Sequence, residues 1–260
     1  MNSISFAELE KSHFTNVFAR NIIKIEYQEY KNRILKNDSE LIESLFFGDI
    51  YIVKNAYEKK LLEKIRSELH EWGTKTKASY HEIKEGVPNF HKILNKDGKF
   101  YVNSKWHGFY FFNFNKDPWN IFNIAEEKYF LNQKIMGLNE KEIFNNSPKD
   151  KYIPRVWIVQ YPQGGGYIQA HDHSTTPFGV ANIVIMSEKG KDYNDGGIYF
   201  IDENANKIFI DDQVEVGDLL VTYKRQVHGV DPVDPNIKTD WKSEKGRWVM
   251  MYGNVPTSNC

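Results

Sequence analysis

The sequence predicts a mostly β protein, an antiparallel sandwich or jelly roll with helices packed on one face. Short apolar runs recur from residue 154 onward, at 155–161, 167–171, 180–186, 197–201, 207–210, 218–223 and 247–252. Turn-forming clusters at 162–166, 188–197 and 202–206 separate them, the spacing expected of a two-sheet β domain. Aromatic residues make up 15% of the chain, and Phe and Tyr favour strands and pocket walls.

The region before residue 154 reads differently. Residues 5–45 are polar, with Phe6, Leu9, Phe14, Val17, Phe18, Ile22 and Ile23 at helix-like intervals. They predict one or two surface helices forming an N-terminal extension, residues 1–45, ahead of a β domain spanning 46–260. A short strand at 49–53 leads to a helix over 57–72, whose Leu61, Leu62, Ile65, Leu69 and Trp72 form one apolar stripe that Gly73 stops. Residues 73–100 read as loop, with Gly86, Pro88 and Gly98 as breakers. A buried strand follows at 110–114, then a helix over 118–138 ending at Gly137 and a turn at 145–148. No internal repeat or low-complexity segment interrupts this order.

Composition narrows the function classes. With 260 residues the chain can bury a substantial core as one decorated domain. Lys and Arg total 34 against 35 Asp and Glu, a net charge of -1 that gives no reason to expect nucleic acid as the main partner. A lone Cys260 forms no internal disulfide, and a reducing compartment is the simpler setting. The first residues lack the basic and apolar regions of a signal peptide, and no uncharged apolar run reaches the length of a membrane span. The expectation is a soluble cytoplasmic protein with a small-molecule substrate, its oligomeric state open.

The chemistry concentrates in two places. Gly164-Gly165-Gly166-Tyr167-Ile168-Gln169-Ala170-His171-Asp172-His173 ends a strand with two histidines that alternation places on one side, while Asp172 points away. A third histidine, His228, closes the run that begins at Gly217-Asp218-Leu219. Beyond it Gly246-Arg247-Trp248 opens the last apolar strand. Neutral imidazole is the commonest protein ligand for first-row metals, and three ligands on one face leave positions open for a bidentate co-substrate and dioxygen.

The order of a His-x-ligand pair, a distant His and an Arg on a terminal strand resembles the iron(II)- and 2-oxoglutarate-dependent oxygenases. The resemblance spans about residues 45 to 255, with its specific part at 160–250. It implies a double-stranded β-helix core, iron(II) as the metal, 2-oxoglutarate as co-substrate, and oxidation of a small metabolite such as an amino acid or derivative. One element departs from it, because His171-Asp172-His173 stands where the family usually has His-x-Asp. Alternation favours His173 as third ligand, giving three neutral imidazoles, whereas a local bulge would bring Asp172 in instead. Arg247 matches the arginine that holds the distal carboxylate of 2-oxoglutarate, although the 19 residues separating it from His228 include a polar insertion with Pro232 and Pro235. Gln160, Tyr161 and Tyr167, flanking the metal motif, are candidate co-substrate or substrate contacts.

Two alternatives remain. The Gly165 to His171-x-His173 spacing also matches a cupin metal motif, yet no glutamate follows His173 and Tyr223 and Arg225 replace the usual Pro and Gly. A jelly-roll binding protein without catalysis is the other.

Overall fold

The computed structural model describes residues 4–12, 17–76, 90–94, 102–138, 152–173 and 179–256. In chain order the N-terminal elements are α1 (Phe6–Ser12), β1 (Ile22–Glu26), α2 (Tyr27–Leu35), α3 (Ser39–Phe46), β2 (Ile50–Lys54) and α4 (Lys59–Lys75). Then come β3 (Phe90–Leu94), β4 (Ser104–Phe112), α5 (Ile121–Met136), β5 (Tyr152–Pro162), β6 (Gly166–His171), β7 (Val180–Ile185) and β8 (Gly197–Ile201). The chain finishes with β9 (Lys207–Phe209), β10 (Leu219–Tyr223), β11 (His228–Val233) and β12 (Gly246–Pro256).

The core is a jelly roll. Antiparallel pairing builds one sheet in the order β10-β7-β12-β5 and a second in the order β6-β11-β8-β9. From β5 to β12 the chain passes back and forth between these two sheets. The triple-glycine hairpin makes the first passage, with Gly164 at φ 85° and Gly165 at φ 90°, conformations that side chains disfavour. β4 pairs with both β5 and β6, joining the sheets along one side, while β2 and β1 extend the first sheet beyond β10.

Strand alternation divides the apolar residues into two cores. Tyr161, Ile183, Ile185, Leu220 and Val249 face inward from the first sheet, against Ile198, Phe200, Val230 and Val233 of the second. The opposite face of the first sheet presents Val156, Ile158, Val184, Leu219, Val221, Trp248, Met250 and Tyr252. The helices cover that face with Leu41, Leu45, Leu62, Ile65, Leu69, Ala125 and Tyr129. Asp38 caps α3 by accepting the Leu41 N–H at 3.1 Å, satisfying a donor that the first helical turn leaves over. Gly137 ends α5 in the left-handed region at φ 73°.

Four expectations change. The N-terminal segment is not a pair of surface helices: it holds three helices and β1, which pairs in parallel with β2. Phe6, Tyr30, Ile34, Leu41, Leu45 and Phe46 are buried in the helix-side core. The polar and charged residues interleaved with them, among them Glu29, Lys31, Arg33, Glu40 and Glu43, conceal these apolar stripes in a linear reading. β11 escapes prediction because Pro232 and Asp231 interrupt it; the strand tolerates them where its pairing with β6 shifts register between Val230 and Val233. Residues 90–94 form β3 rather than loop, and α4 continues through Gly73. The readings at Gly86, Pro88, Gly98 and 145–148 lie outside the described residues. Among the described residues, no helix is long and apolar enough to cross a membrane.

Because Leu45 is fully buried, Leu45→Ala should cost about 2–5 kcal/mol in urea unfolding, the range for a leucine cavity in a packed core. A loss below about 0.5 kcal/mol, typical of surface substitutions, would show that the N-terminal segment is an appendage.

Candidate functional site

Three histidines meet at one end of the barrel. β6 ends at His171 and β11 begins at His228, and the two residues are direct cross-strand partners. A β-bulge aims His171. Val230 pairs with Ile168, so three steps along β6 (168 to 171) run opposite two along β11 (230 to 228). Without the additional residue, inward-facing Ile168 would leave His171 on the outside of the sheet. His173 lies just past the strand, fixed by its backbone N–H donating to the Lys224 carbonyl at 3.1 Å.

The ring centres stand 4.6 Å (His171 to His228), 4.8 Å (His171 to His173) and 5.2 Å (His173 to His228) apart. One nitrogen from each lies within 4.8 Å of the others. Nδ1 of His171 is 2.8 Å from the Gln169 carbonyl, and Nδ1 of His228 is 2.8 Å from the Gln226 carbonyl. A carbonyl only accepts, so both Nδ1 atoms carry the proton and both Nε2 atoms keep a lone pair. Burial lowers the pKa of all three rings. For His173 burial, assisted by the charges of His171, Lys224 and Arg155, pushes it down to about 3. His228 is driven well below its ordinary value, by burial first and then by the other two histidines. Three neutral imidazoles with one nitrogen each within 4.8 Å of the others form a donor set suited to a first-row divalent metal. Asp172 is outside this group.

Arg247 sits deeper in the barrel, at the start of β12 opposite Tyr161. Its Nε donates to Oδ2 of Asp211 at 2.7 Å and its Nη2 to Oδ1 at 3.0 Å, a bidentate pair. Tyr193 donates its hydroxyl to the same Oδ2 at 2.7 Å, and the Ile198 N–H does so at 3.0 Å. Both members are almost wholly buried, at 2% and 4% side-chain exposure. Burial alone would lower the Arg247 pKa; the charge and hydrogen bonds of Asp211 outweigh it and raise the pKa. The pair lies at the level of Ile198, two residues along β8 from Phe200, the cross-strand partner of His228. That offset is about 7 Å at the usual strand rise.

The remaining predicted contacts separate. Tyr161 faces inward, its ring centre 6.0 Å from the Arg247 guanidinium carbon. Gln160 turns the other way: its Oε1 lies 3.1 Å from Nδ1 of His107, and its Nε2 donates to the carbonyls of Ser243 at 2.9 Å and Lys245 at 3.2 Å. It secures the segment before β12, and strand alternation keeps its amide out of the barrel. Tyr167 precedes inward-facing Ile168 and points outward by the same rule. Sequence reading missed Asp211, Tyr193, Arg155 and Lys224. Arg155 shares the odd-numbered inner face of β5 with Tyr161, a usable signal. Nothing local marks Asp211, which stands beside Asp212 in a short turn.

No protein-family model matches this sequence, and no curated protein sequence matches it. Solved structures do share its fold. A prolyl-4-hydroxylase of Pseudomonas putida is 10% identical with a TM-score of 0.53, covering 84% of this chain and 98% of the other. A putative 2OG-Fe(II) oxygenase family protein of Caulobacter crescentus is 11% identical with a TM-score of 0.53, covering 91% and 87%. A Neurospora crassa protein crystallised in complex with α-ketoglutarate is 11% identical with a TM-score of 0.53, covering 94% and 86%. At these identities the likeness is one of fold.

Two predictions follow from the charges. Arg247→Ala leaves Asp211 buried without its partner and should cost about 3–5 kcal/mol in urea unfolding. Asp211→Ala should cost a similar amount, and the double variant distinctly less than the sum. Strict additivity would mean the two groups do not interact. For His173, the unfolded chain binds a proton near its ordinary 6.5 and the folded one only near about 3. Metal-free protein therefore has this stabilisation in full above about pH 6.5 and loses it as pH falls toward 3. The melting temperature followed through that window should decline, and His173→Asn should make the decline shallower.

Proposed function

We propose that the chain is an iron(II)- and 2-oxoglutarate-dependent oxygenase that oxidises a C–H bond of a small metabolite, an amino acid or derivative being the leading candidate. The observation that carries this reading is the three-histidine group at the mouth of a jelly roll, with Arg247 farther down the same interior. His171, His173 and His228 would hold the metal, and iron(II) supplies the activation of dioxygen when bound. The donor set fits: one nitrogen of each ring lies within 4.8 Å of the others, the rings are neutral, and the Gln169 and Gln226 carbonyls fix two of them.

Arg247 fits a dicarboxylate less simply. A guanidinium has five N–H donors, and Asp211 takes two. The Nη1 edge is left to grip a second carboxylate, oriented by the Asp211 clamp on the other side. The offset of about 7 Å between His228 and this pair supports a five-carbon keto-diacid reaching from metal to arginine. The protein's own contribution is to align co-substrate and substrate and to keep water out of an interior walled by Tyr161, Ile198 and Phe200.

Incubation with iron(II), 2-oxoglutarate, oxygen and a panel of amino acids, read by mass spectrometry, tests the proposal. Succinate formation that depends on all three supports it, and failure to consume 2-oxoglutarate under any condition removes it. His171→Ala and His228→Ala should each strip the metal. Asp172→Asn should retain metal and His173→Ala should lose it; the reverse pattern would return Asp172 to the ligand set. Arg247→Lys keeps a cation beside Asp211 but loses the planar fork. It should weaken 2-oxoglutarate binding by about 1.5–3 kcal/mol, the worth of a hydrogen bond to a charged group.

A further inference from the structure

The turn between β10 and β11, residues 224–227, touches two of the three histidines. The Lys224 carbonyl accepts the His173 backbone N–H at 3.1 Å, and the Gln226 carbonyl lies 2.8 Å from Nδ1 of His228. The N-terminal segment grips this turn in two places. The first grip is Gln226, whose side chain is fully buried. Its Nε2 donates to the Gly48 carbonyl at 2.7 Å, just past α3, and its Oε1 accepts the Tyr223 N–H at 3.1 Å. Val17 adds a β-bridge to Gln226. The second grip is α1. Phe6 packs on Tyr223, ring centres 5.3 Å apart, and a Cβ at Gly179 would come within 2.3 Å of the Phe6 ring. The Gly179 carbonyl accepts the Lys224 N–H at 3.0 Å.

We propose that the N-terminal segment is part of the metal site, with Gln226 as the positioning residue that connects the two. One route runs from Gly48 through Gln226 to His228, the other from Phe6 through Gly179 and Lys224 to His173. The oxygenase reading supplies the metal, but the routes stand on the contacts of the chain itself. A carbonyl fixes an imidazole only as firmly as its own peptide plane is fixed. The Gln226 plane is held by its backbone N–H on the Tyr223 carbonyl at 3.0 Å and by its side chain on Gly48 and Tyr223. Losing those buried bonds is costly, so the intact turn keeps one setting. Release of either grip spreads His228 and His173 over more orientations, which a metal must then reorder. By linkage, whatever docking of the segment adds to metal affinity, the metal adds to docking. His171 is oriented from its own strand by the Gln169 carbonyl and serves as the internal reference.

The test uses the full chain and cobalt(II), with affinity read from its visible absorption. Gln226→Met keeps the side-chain length and loses both side-chain hydrogen bonds. Gln226→Glu keeps the acceptor for Tyr223 and loses the donor to Gly48. Phe6→Ala releases α1 from the turn. Leu62→Ala, a cavity on α4 in the same helix-side core, is the reference for lost stability alone. Gln226→Met and Phe6→Ala should each bind cobalt(II) about tenfold or more weakly, the lower end for groups that orient metal ligands. Gln226→Glu should fall between, and Leu62→Ala should match the wild type. In metal-free protein, nitrogen NMR should show His228 of Gln226→Met leaving its single Nδ1–H form while His171 keeps its own. Saturating cobalt(II) should slow hydrogen exchange across residues 4–12 of the wild type by a similar factor. Wild-type affinity in both Gln226→Met and Phe6→Ala, an equal loss in Leu62→Ala, or exchange indifferent to cobalt(II) overturns the proposal. Should Gln226→Met not fold, Gln226→Glu, Phe6→Ala and the exchange measurement decide. If the wild type binds no cobalt(II), the oxygenase reading fails, and the His228 tautomer in metal-free protein still decides the role of Gln226.

Discussion

The site depends on one cross-strand pairing, that of His171 with His228 where β6 meets β11. The backbone ladder brings the rings together, and the bulge before His171 decides which side of the sheet they occupy. With regular alternation from Ile168, His171 would project outward while His228 stayed inside, and no shared centre would exist. The carbonyls of Gln169 and Gln226, each two residues before its histidine, then fix ring orientation. This repeated arrangement links tautomer to strand geometry, so the lone pairs are set before any ligand arrives. The ordering cost is met by folding, which is the physical meaning of a preorganised site.

The barrel interior manages its buried charges in two ways. At the deep end Arg247 and Asp211 neutralise each other, and the Tyr193 hydroxyl and the Ile198 N–H also donate to the Asp211 Oδ2 atom. An ion pair in such a setting adds little net stability, since desolvation offsets attraction, but removing either member is expensive. Its worth is geometric: Asp211 fixes the plane of the guanidinium and thus the direction of its open edge. Gly197 belongs to this arrangement, because a Cβ there would come within 2.3 Å of the Asp211 Oδ2 atom. Farther along β5, Arg155 rests on the faces of Trp157 and Tyr110, its guanidinium carbon 4.2 and 5.0 Å from their ring centres.

Much of this was legible in the chain. The β-rich half was readable because its strands are short, apolar and separated by turn residues, and the observed boundaries of β5 to β10 lie close to the predicted runs. The histidine grouping was readable for a partly different reason than the one operating. Period-two alternation places 171 and 173 together, but the bulge that turns His171 inward depends on pairing with β11, a strand that Pro232 hid. Gln160 misled because one residue of phase along β5 separates the barrel from the helix face. Tyr161 was on the correct phase and Gln160 was not. Asp211 was unreadable in principle: it meets Arg247 across 36 residues, and only tertiary structure makes them neighbours.

His173, standing where the resembled oxygenases usually have a carboxylate, gains meaning from its surroundings. A carboxylate at 173 would stand beside Lys224 and within reach of Arg155, and would be drawn to those cations as well as to a metal. An imidazole there is neutral, since burial and the same cations resist its protonation. In the proposed oxygenase it would hold a metal without adding a negative charge, leaving the metal's full double charge expressed toward the cavity. Low-dielectric walls strengthen that field. A metal held by three neutral ligands would gain its anionic complement from what it binds rather than from protein side chains, and the stronger field would favour acids over neutral molecules of the same shape. In the proposed oxygenase, the exchange of one ligand would thus bear on which molecules enter as well as on how the metal behaves.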